Sequence, residues 1–130
     1  MQREHFAGPF ETERGYSPVI KTVGGAHIWV AGQTGHRDAA GKPAHHDIES
    51  QTRQCFRNIE AQLAKAGGKL SDLVYMTVFL KDQRHGPKFL ELRREILKKD
   101  FPVSALITVV GFADPDVLLE IQSIAVVDAG

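Results

Sequence analysis

One carboxylate stands out among the side chains that could do chemistry, because Glu120 lies inside an apolar segment, residues 117–121. A buried carboxylate without a partner costs several kcal/mol, so the fold must either pair this group or use it. Two interpretations remain open. Glu120 either reaches the rim of the domain and pairs with a lysine or arginine, or lines a cleft as a general acid, general base or water anchor.

Two glycines at the end of an earlier apolar segment could serve the same cleft. Gly32 and Gly35 follow residues 27–31, and glycine, lacking a Cβ, can expose its backbone N–H and C=O groups to a ligand. The alternative is that both are ordinary turn glycines. The four residues 32–35 are similar to a phosphate-binding loop, but no Gly-Lys-Ser/Thr follows and no helix is predicted to start there.

The remaining reactive side chains favour structural roles. The residues that come nearest to a metal-binding group are His36, His45, His46 and Asp47. Their spacing does not match the His-x-x-x-His pattern of a helical metal site, so no metal site is predicted. Cys55 lies on an apolar helical stripe, where a thiol behaves as a small apolar group. A solvated helix face is predicted for the basic group, since acidic residues alternate with Arg93, Arg94, Lys98 and Lys99.

The strands that carry the glycines are predicted from apolar segments and turn residues. Residues 19–23 and 27–31 flank Gly24-Gly25, which predicts a two-residue β-hairpin. Residues 32–43 contain three glycines and a proline and are expected to form a surface loop.

Two helices and three further strands complete the chain. Asp47 can cap a helix whose apolar stripe repeats every three or four residues until Gly67-Gly68. Pro87 opens a second helix, which ends at Phe101-Pro102. Strands are predicted at residues 73–80, 105–110 and 118–127. The order β-β-α-β-α-β-β predicts one α+β domain over residues 1–130, with a mixed sheet and two helices on one face, preceded by a loosely attached arm, residues 1–15.

Charge and composition limit the partners. The 130 residues include 16 Lys+Arg and 16 Asp+Glu, so the chain has no net field that would gather phosphate backbones, which argues against nucleic acid. No apolar run approaches the roughly 20 residues that span a bilayer, and no secretory signal opens the chain, so no membrane partner is expected. The single Cys55 is consistent with a reducing compartment, and we expect a cytoplasmic protein.

The predicted sheet has more apolar surface than its helices can cover. Residues 74–80 and 105–110 show no alternation of apolar and polar side chains, so both faces of these strands are apolar. Two helices cover one face only, and a monomer rarely exposes an apolar patch of this extent. We expect a second copy of the chain to cover the other face; the alternative is that the N-terminal arm folds back over it.

Several segments together resemble the RidA family, also called the YjgF or L-PSP family. The resemblance covers nearly the whole chain from Gly15 onward. The segments that carry it are IWVAGQ at residues 28–33, QTRQCFRNI at 51–59, VYMTVFLKD at 74–82, Phe101-Pro102, and LEIQSIA at 119–125. Their order and spacing, rather than any one of them, make the resemblance specific.

The resemblance implies a chorismate-mutase-like fold, a homotrimer with clefts between subunits, and hydrolysis of imines or enamines to carbonyl compounds and ammonia without a metal or cofactor. By the same resemblance, Glu120 orients the attacking water and the Gly32 carbonyl faces the cleft, which makes them the expected catalytic residues. The expected substrate-binding residues are Ser104, Tyr16 and Gln33.

One position departs from the family pattern. Active members carry an arginine two residues after the Pro, where its planar guanidinium binds the substrate carboxylate; here that residue is Ser104. Three hypotheses follow. The first is a trimer that binds a small molecule and hydrolyses an imine or enamine, the second is a non-catalytic ligand sensor or partner-binding trimer, and the third is a ribonuclease, which the neutral charge disfavours.

Overall fold

Strands and helices follow one another in an order close to the predicted one in the computed structural model, which describes residues 1–129. The elements are β1 (Gln2–Phe6), α1 (Pro9–Glu13), β2 (Val19–Val23), β3 (Ala26–Thr34), α2 (Ile48–Lys65), β4 (Leu73–Leu80), α3 (Gly86–Leu97), β5 (Val103–Thr108) and β6 (Leu119–Val127). Short 3-10 helices at Leu70–Asp72 and Gln83–His85 precede β4 and α3. Over residues 1–129, no helix is both long enough and apolar enough to cross a membrane.

A mixed four-stranded sheet in the order β3-β6-β4-β5 forms the centre of the fold. β6 is antiparallel to both β3 and β4, whereas β5 is parallel to β4. The parallel pair is joined through α3, as expected for strands connected by a helical crossover. The predicted α+β class with a mixed sheet is confirmed.

Helices α2 and α3 cover one face of this sheet. The predicted stripe of α2 is buried, and its Phe56 stacks against Phe89 of α3 with ring centroids 6.4 Å apart. Alternate residues of the central strands complete the core, because successive side chains of a strand point to opposite faces. The buried core residues on the regular part of these strands are Met76, Val78 and Leu80 of β4 and Leu119, Ile121 and Ala125 of β6, and Leu73 at the start of β4 also belongs to the core.

Asp47 caps α2 as predicted. Its Oδ1 accepts a hydrogen bond from the Ser50 amide at 2.7 Å, which lowers the pKa of Asp47 below its usual value of 3.8. We expect Asp47→Ala to reduce the free energy of unfolding by about 1 kcal/mol, measured by urea unfolding at pH 7. Glu60→Ala, a change of an exposed carboxylate in the middle of the same helix, is the control.

The contribution of Asp47 also depends on pH. Because the folded-state pKa is lowered, the stabilisation is present above the unfolded pKa and is lost as the pH falls through the folded value. The difference between wild type and Asp47→Ala is therefore expected to stay constant from pH 7 to about pH 5 and to shrink below about pH 4. A difference that grows on acidification would contradict this assignment.

The predicted hairpin is wrong in its pairing. β2 pairs antiparallel with β1, and β3 pairs with β6, so the two segments on either side of Gly24-Gly25 are not neighbours in one sheet. Both glycines have positive φ, 74° and 86°, so the chain does turn there. Turn residues specify a reversal, but the partner of each strand depends on segments elsewhere in the chain.

Two strand boundaries also differ from the prediction. β3 continues to Thr34, through residues expected to start a loop, because pairing with β6 resumes at Gln33 and Thr34 beyond a bulge. β5 covers Val103–Thr108 rather than 105–110, since Val103 already pairs with Tyr75 of β4 immediately after Pro102. The last residue of β4, Leu80, pairs with Thr108, and Val110 beyond this point is fully exposed.

Residues 1–15, expected to form a loose arm, contain β1 and α1. Besides the pairing of β1 with β2, the Arg3 guanidinium donates to the carbonyls of Ser71 at 2.9 Å and Val126 at 2.6 Å. The Met1 ammonium lies 3.2 Å from the Asp128 carboxylate. These contacts connect the N-terminal segment to the edge of the domain near the end of β6.

The second face of the four-stranded sheet remains open. A row of side chains crosses all four strands on this face, since Trp29 and Tyr75 both pair with Ile124, and Tyr75 also pairs with Val103. Trp29 is 74% exposed, Tyr75 37% and Ile107, further along β5, 43%. These side chains stay exposed with the N-terminal segment in place, so that segment does not act as the lid.

Candidate functional site

Gly32 and Glu120 lie side by side on the open face of the sheet. A Cβ built on Gly32 would lie 2.5 Å from Oε2 and 2.8 Å from Cδ of Glu120, so the carboxylate rests directly on the glycine backbone. The residue types explain the contact, because any side chain at position 32 would occupy the space of the carboxylate. The structure thus brings together the two predicted catalytic residues.

A β-bulge in β3 produces this arrangement. Val30 pairs with Ser123 and Gln33 with Ile121, so three steps along β3 match two steps along β6. Such a bulge changes the direction of the strand and is common beside active sites. Here it places Gly32 against Glu120 at the point where the pairing is irregular.

Glu120 is half-buried and faces away from the helices. Its neighbours Leu119 and Ile121 are fully buried in the core on the helix side, so the alternation of the strand directs Glu120 to the open face, beside Phe79 of β4. None of the ion pairs within residues 1–129 includes Glu120. Pairing with a lysine or arginine, the alternative left open by the sequence, does not occur within the described chain.

A buried glutamine of α2 fixes the strand that carries Glu120. The side chain of Gln51 donates to the carbonyl of Asp116 at 2.8 Å and accepts from the amide of Leu118 at 2.9 Å. These bonds hold the beginning of β6 against α2. Gly35, immediately after β3, also lies very close to α2. A Cβ at this position would collide with the Gln51 carbonyl. Gly35 therefore packs a strand against a helix.

Gln33 and Cys55 lie next to Gly32 and Glu120 but on the helix side of the sheet. The carbonyl of Gln33 accepts a hydrogen bond from the Cys55 thiol at 3.3 Å, and the Gln33 amide donates to the carbonyl of Ala31 at 3.2 Å. Burial strongly raises the pKa of Cys55, and the nearby Glu120 charge adds to this effect. The thiol stays protonated at neutral pH, as the interpretation of Cys55 as a small apolar group requires.

Tyr16 and Ser104 form a second cluster with an arginine that the sequence did not single out. The segment after Tyr16 joins β5, since the Ser17 amide donates to the carbonyl of Pro102 at 3.0 Å. The Arg93 guanidinium donates through Nη1 to Ser104 Oγ at 2.6 Å, and Tyr16 is close enough to interact with its charge. The side chain predicted to replace the family arginine therefore contacts a different arginine, from α3.

Arg93 corrects the prediction that its basic group is a solvated helix face. Arg93 is only 1% exposed, although Arg94 beside it is exposed. The helical spacing contained the signal: Arg93 follows Phe89 by four residues and precedes Ile96 by three, which places it on the apolar stripe. Its charge concealed this position, since charged side chains are rarely buried.

The two clusters are separated within one chain. Ser104 faces the helices, where it contacts Arg93, whereas Glu120 faces the open side of the sheet. Their strands β5 and β6 are separated by β4, which corresponds to about 10 Å across the sheet. One chain thus carries two half-sites, one with Gly32 and Glu120 and one with Tyr16 and Ser104, that do not face a common space.

Other polar side chains form local contacts. His36, within the segment predicted as a loop, lies 3.3 Å from the Asp114 carboxylate. The Arg14 guanidinium lies over the Phe10 ring, and Arg37 donates to the Gly41 carbonyl. Within residues 1–129, no three His, Cys, Asp or Glu side chains are arranged to hold a metal ion.

Known proteins share the sequence and the fold. A sequence profile described as "Endoribonuclease L-PSP" matches residues 8–127. A RutC family protein of Pyrococcus horikoshii is 36% identical over 110 residues, 85% of each chain. A protein of Acinetobacter baylyi named 3-aminoacrylate deaminase RutC is 33% identical over 79 residues, 61% of this chain and 62% of that one.

Solved structures agree with the sequence comparison. The Rid family protein YyfB of Yersinia pestis superposes with a TM-score of 0.83 at 22% identity, covering 98% of this chain and 100% of that one, which shows a shared fold. The profile match covers most of the sequence, including β3, β6 and the segments that carry the resemblance. The chain therefore belongs to the RidA/YjgF family, whose profile is described as Endoribonuclease L-PSP.

Proposed function

We propose that the protein hydrolyses a small imine or enamine to a carbonyl compound and ammonia, at clefts between the subunits of a homotrimer. The observation that carries this proposal is the Glu120 carboxylate, which rests on the Gly32 backbone without an ion-pair partner in the described chain. A carboxylate in this position can accept a proton from water. The relative named 3-aminoacrylate deaminase supports the choice of substrate class.

The proposed chemistry needs only water, the Glu120 carboxylate and the Gly32 carbonyl. An enamine first takes a proton from solvent on carbon, and an imine takes one on nitrogen, so that both give an iminium ion. Water then adds to the C=N carbon while Glu120 accepts its proton and the Gly32 carbonyl accepts a hydrogen bond from the same water. Glu120 returns the proton to the nitrogen of the resulting carbinolamine. The C–N bond then breaks as the carbinolamine hydroxyl releases its proton to solvent, and the carbonyl product and ammonia leave.

Assembly is part of the proposal, because neither half-site is complete alone. Glu120 lies on the open face that also exposes Trp29, Tyr75 and Ile107, so a subunit seated on this face would cover the apolar side chains and close a cleft over the carboxylate. The edge strand β5, with Ser104, would supply the second half-site from a neighbouring copy.

Ammonia release from enamines tests the proposal. 2-Aminoacrylate and 3-aminoacrylate, generated in the assay by coupled enzymes, are the substrates, and loss of the enamine is followed with and without the protein. We expect the wild-type protein to accelerate hydrolysis over the coupled background and Glu120→Gln to lower that acceleration at least a hundredfold. Glu60→Gln, an exposed carboxylate on α2, is the matched control.

Gly32→Ala provides a second variant that leaves every titratable group in place. The added methyl group would meet the flexible end of Glu120, so the carboxylate must move while the core is unaffected. We expect a large loss of activity with an unchanged Tm. The enzymatic proposal would be contradicted if the wild-type protein hydrolysed both enamines no faster than the assay without protein. Equal rates for wild type and Glu120→Gln would also contradict it.

A non-catalytic ligand sensor is the second candidate, and Ser104 is the observation that favours it. A serine lacks the charge and planar fork with which an arginine binds a carboxylate in two places. Such a protein would show ligand-dependent increases in Tm without turnover of either enamine, since a ligand that binds only the folded state stabilises it.

A further inference from the structure

Arg93 is a buried cation without an anionic partner in the described chain. Its Nη1 donates to Ser104 Oγ at 2.6 Å and its Nη2 to the Arg14 carbonyl at 3.0 Å, while Nε has no hydrogen-bond partner within residues 1–129. The acceptors that the guanidinium contacts in the described part of the chain are therefore all neutral. Removing a cation from water without an opposing charge is costly, so the position calls for an explanation.

The charge persists in this environment. Burial lowers the pKa of Arg93 to about 10, and the guanidinium therefore remains protonated at neutral pH. The Phe89 ring, 5.3 Å from the guanidinium carbon, adds a weak attraction but no countercharge. A positive charge thus lies directly behind the hydroxyl of Ser104.

The contact with Arg93 determines what the Ser104 hydroxyl can do. Since Oγ accepts from Nη1, its own hydrogen must point elsewhere, and the nearest acceptor found is the Ala105 carbonyl at 3.5 Å. That distance exceeds the 2.5–3.0 Å of a good O–H···O hydrogen bond. Ser104 is only half-buried and lies on an edge strand, so its hydroxyl can donate to a ligand.

We propose that Arg93 is a positioning residue that acts through Ser104, and that the pair binds one anionic oxygen of a small carboxylate in the cleft of the proposed function. Ser104 supplies the hydrogen bond and Arg93 supplies the charge from behind it. The ligand would meet a single donor rather than the two parallel N–H groups of a guanidinium. Carboxylates should therefore be preferred over their neutral esters by a moderate factor, about tenfold.

Binding of pyruvate and methyl pyruvate, measured by isothermal titration calorimetry, tests this inference, which rests on the proposed cleft. The two probes have similar shape and differ in charge. For the wild-type protein we expect pyruvate to bind about ten times more tightly. Ser104→Ala and Arg93→Met should bring the ratio close to one while the affinity for methyl pyruvate changes less than twofold, and Ser104→Thr and Arg93→Lys should restore part of the preference.

The two probes separate recognition from a purely structural role. If Arg93 only stabilises the fold, its variants will lower the affinity for both probes equally or will change neither affinity. Arg93→Met could fail to fold, and Ser104→Ala then provides the same comparison, with Thr108→Val on β5 as the control. Equal affinities for the two probes in the wild-type protein, or no detectable pyruvate binding, would overturn the inference.

The pyruvate-binding experiment and the enamine assay can fail separately, so they distinguish the role of Arg93 from the proposed function. Enamine turnover that depends on Glu120, together with a pyruvate preference that Ser104→Ala leaves unchanged, would reject the role of Arg93 and retain the proposed function. Absence of both turnover and pyruvate binding would reject both.

Discussion

Ile107→Lys is expected to prevent the proposed assembly and to leave monomers of 14.3 kDa. Ile107 is 43% exposed and pairs with Phe79, which in turn pairs with Glu120, so it lies on the open face in line with the carboxylate. Burying a lysine there without a partner costs several kcal/mol at each interface. Association should weaken at least a hundredfold, as measured by analytical ultracentrifugation at micromolar concentration.

Leu106→Lys is the matched control for the direction of the side chain. Leu106 is 40% exposed and precedes Ile107 on the same strand, but alternation directs it to the helix side of the sheet. This variant should assemble like the wild-type protein. A wild-type protein that sediments as a 14.3 kDa monomer under these conditions would refute the proposal that a second copy covers the open face.

The same variant links assembly to catalysis. Ile107→Lys leaves Gly32 and Glu120 unchanged, yet it should lose enamine hydrolysis together with assembly, because in the proposed assembly the half-site with Tyr16 and Ser104 comes from another copy. Raising the protein concentration should restore both properties in parallel if the interface is only weakened. Full activity in a monomer would show that the two half-sites do not need to meet.

Local sequence patterns were sufficient where burial depends on one element. The α2 stripe follows from residues spaced three or four apart, and Asp47 caps the helix through a carboxylate that bonds its own first turn. The open face was also predictable, since it follows from counting apolar strand faces against helices. That Gly32 and Glu120 share one site was one of two interpretations that the residues left open, and the family resemblance favoured it.

Contacts between distant segments account for the features that the sequence did not show. The pairing of β1 with β2 depends on two short strands that show little apolar alternation by themselves. Arg93 reaches Ser104 from another element, and neither residue predicts the contact without the other. The bulge at Gly32 shifts the register by one residue, a change that depends on the partner strand β6.

Gly35→Ala is expected to destabilise the fold by about 3 kcal/mol, which corresponds to a decrease in Tm of about 10 °C. Gly35 is buried, and its new methyl group would overlap the Gln51 carbonyl and lie 2.7 Å from the Cys55 amide nitrogen. These are helix backbone atoms, so they cannot yield as the end of a side chain can. Relief requires α2 to move away from β3.

Movement of α2 would also reach Glu120, because the bonds from Gln51 to Asp116 and Leu118 hold the beginning of β6. Gly35→Ala should therefore lose activity as well as stability, in contrast to Gly32→Ala. Gly111→Ala is the matched control, since a Cβ there meets no atom within 4 Å. Thermal unfolding of both variants at one protein concentration makes the comparison, and equal Tm values would contradict the close packing of Gly35 against α2.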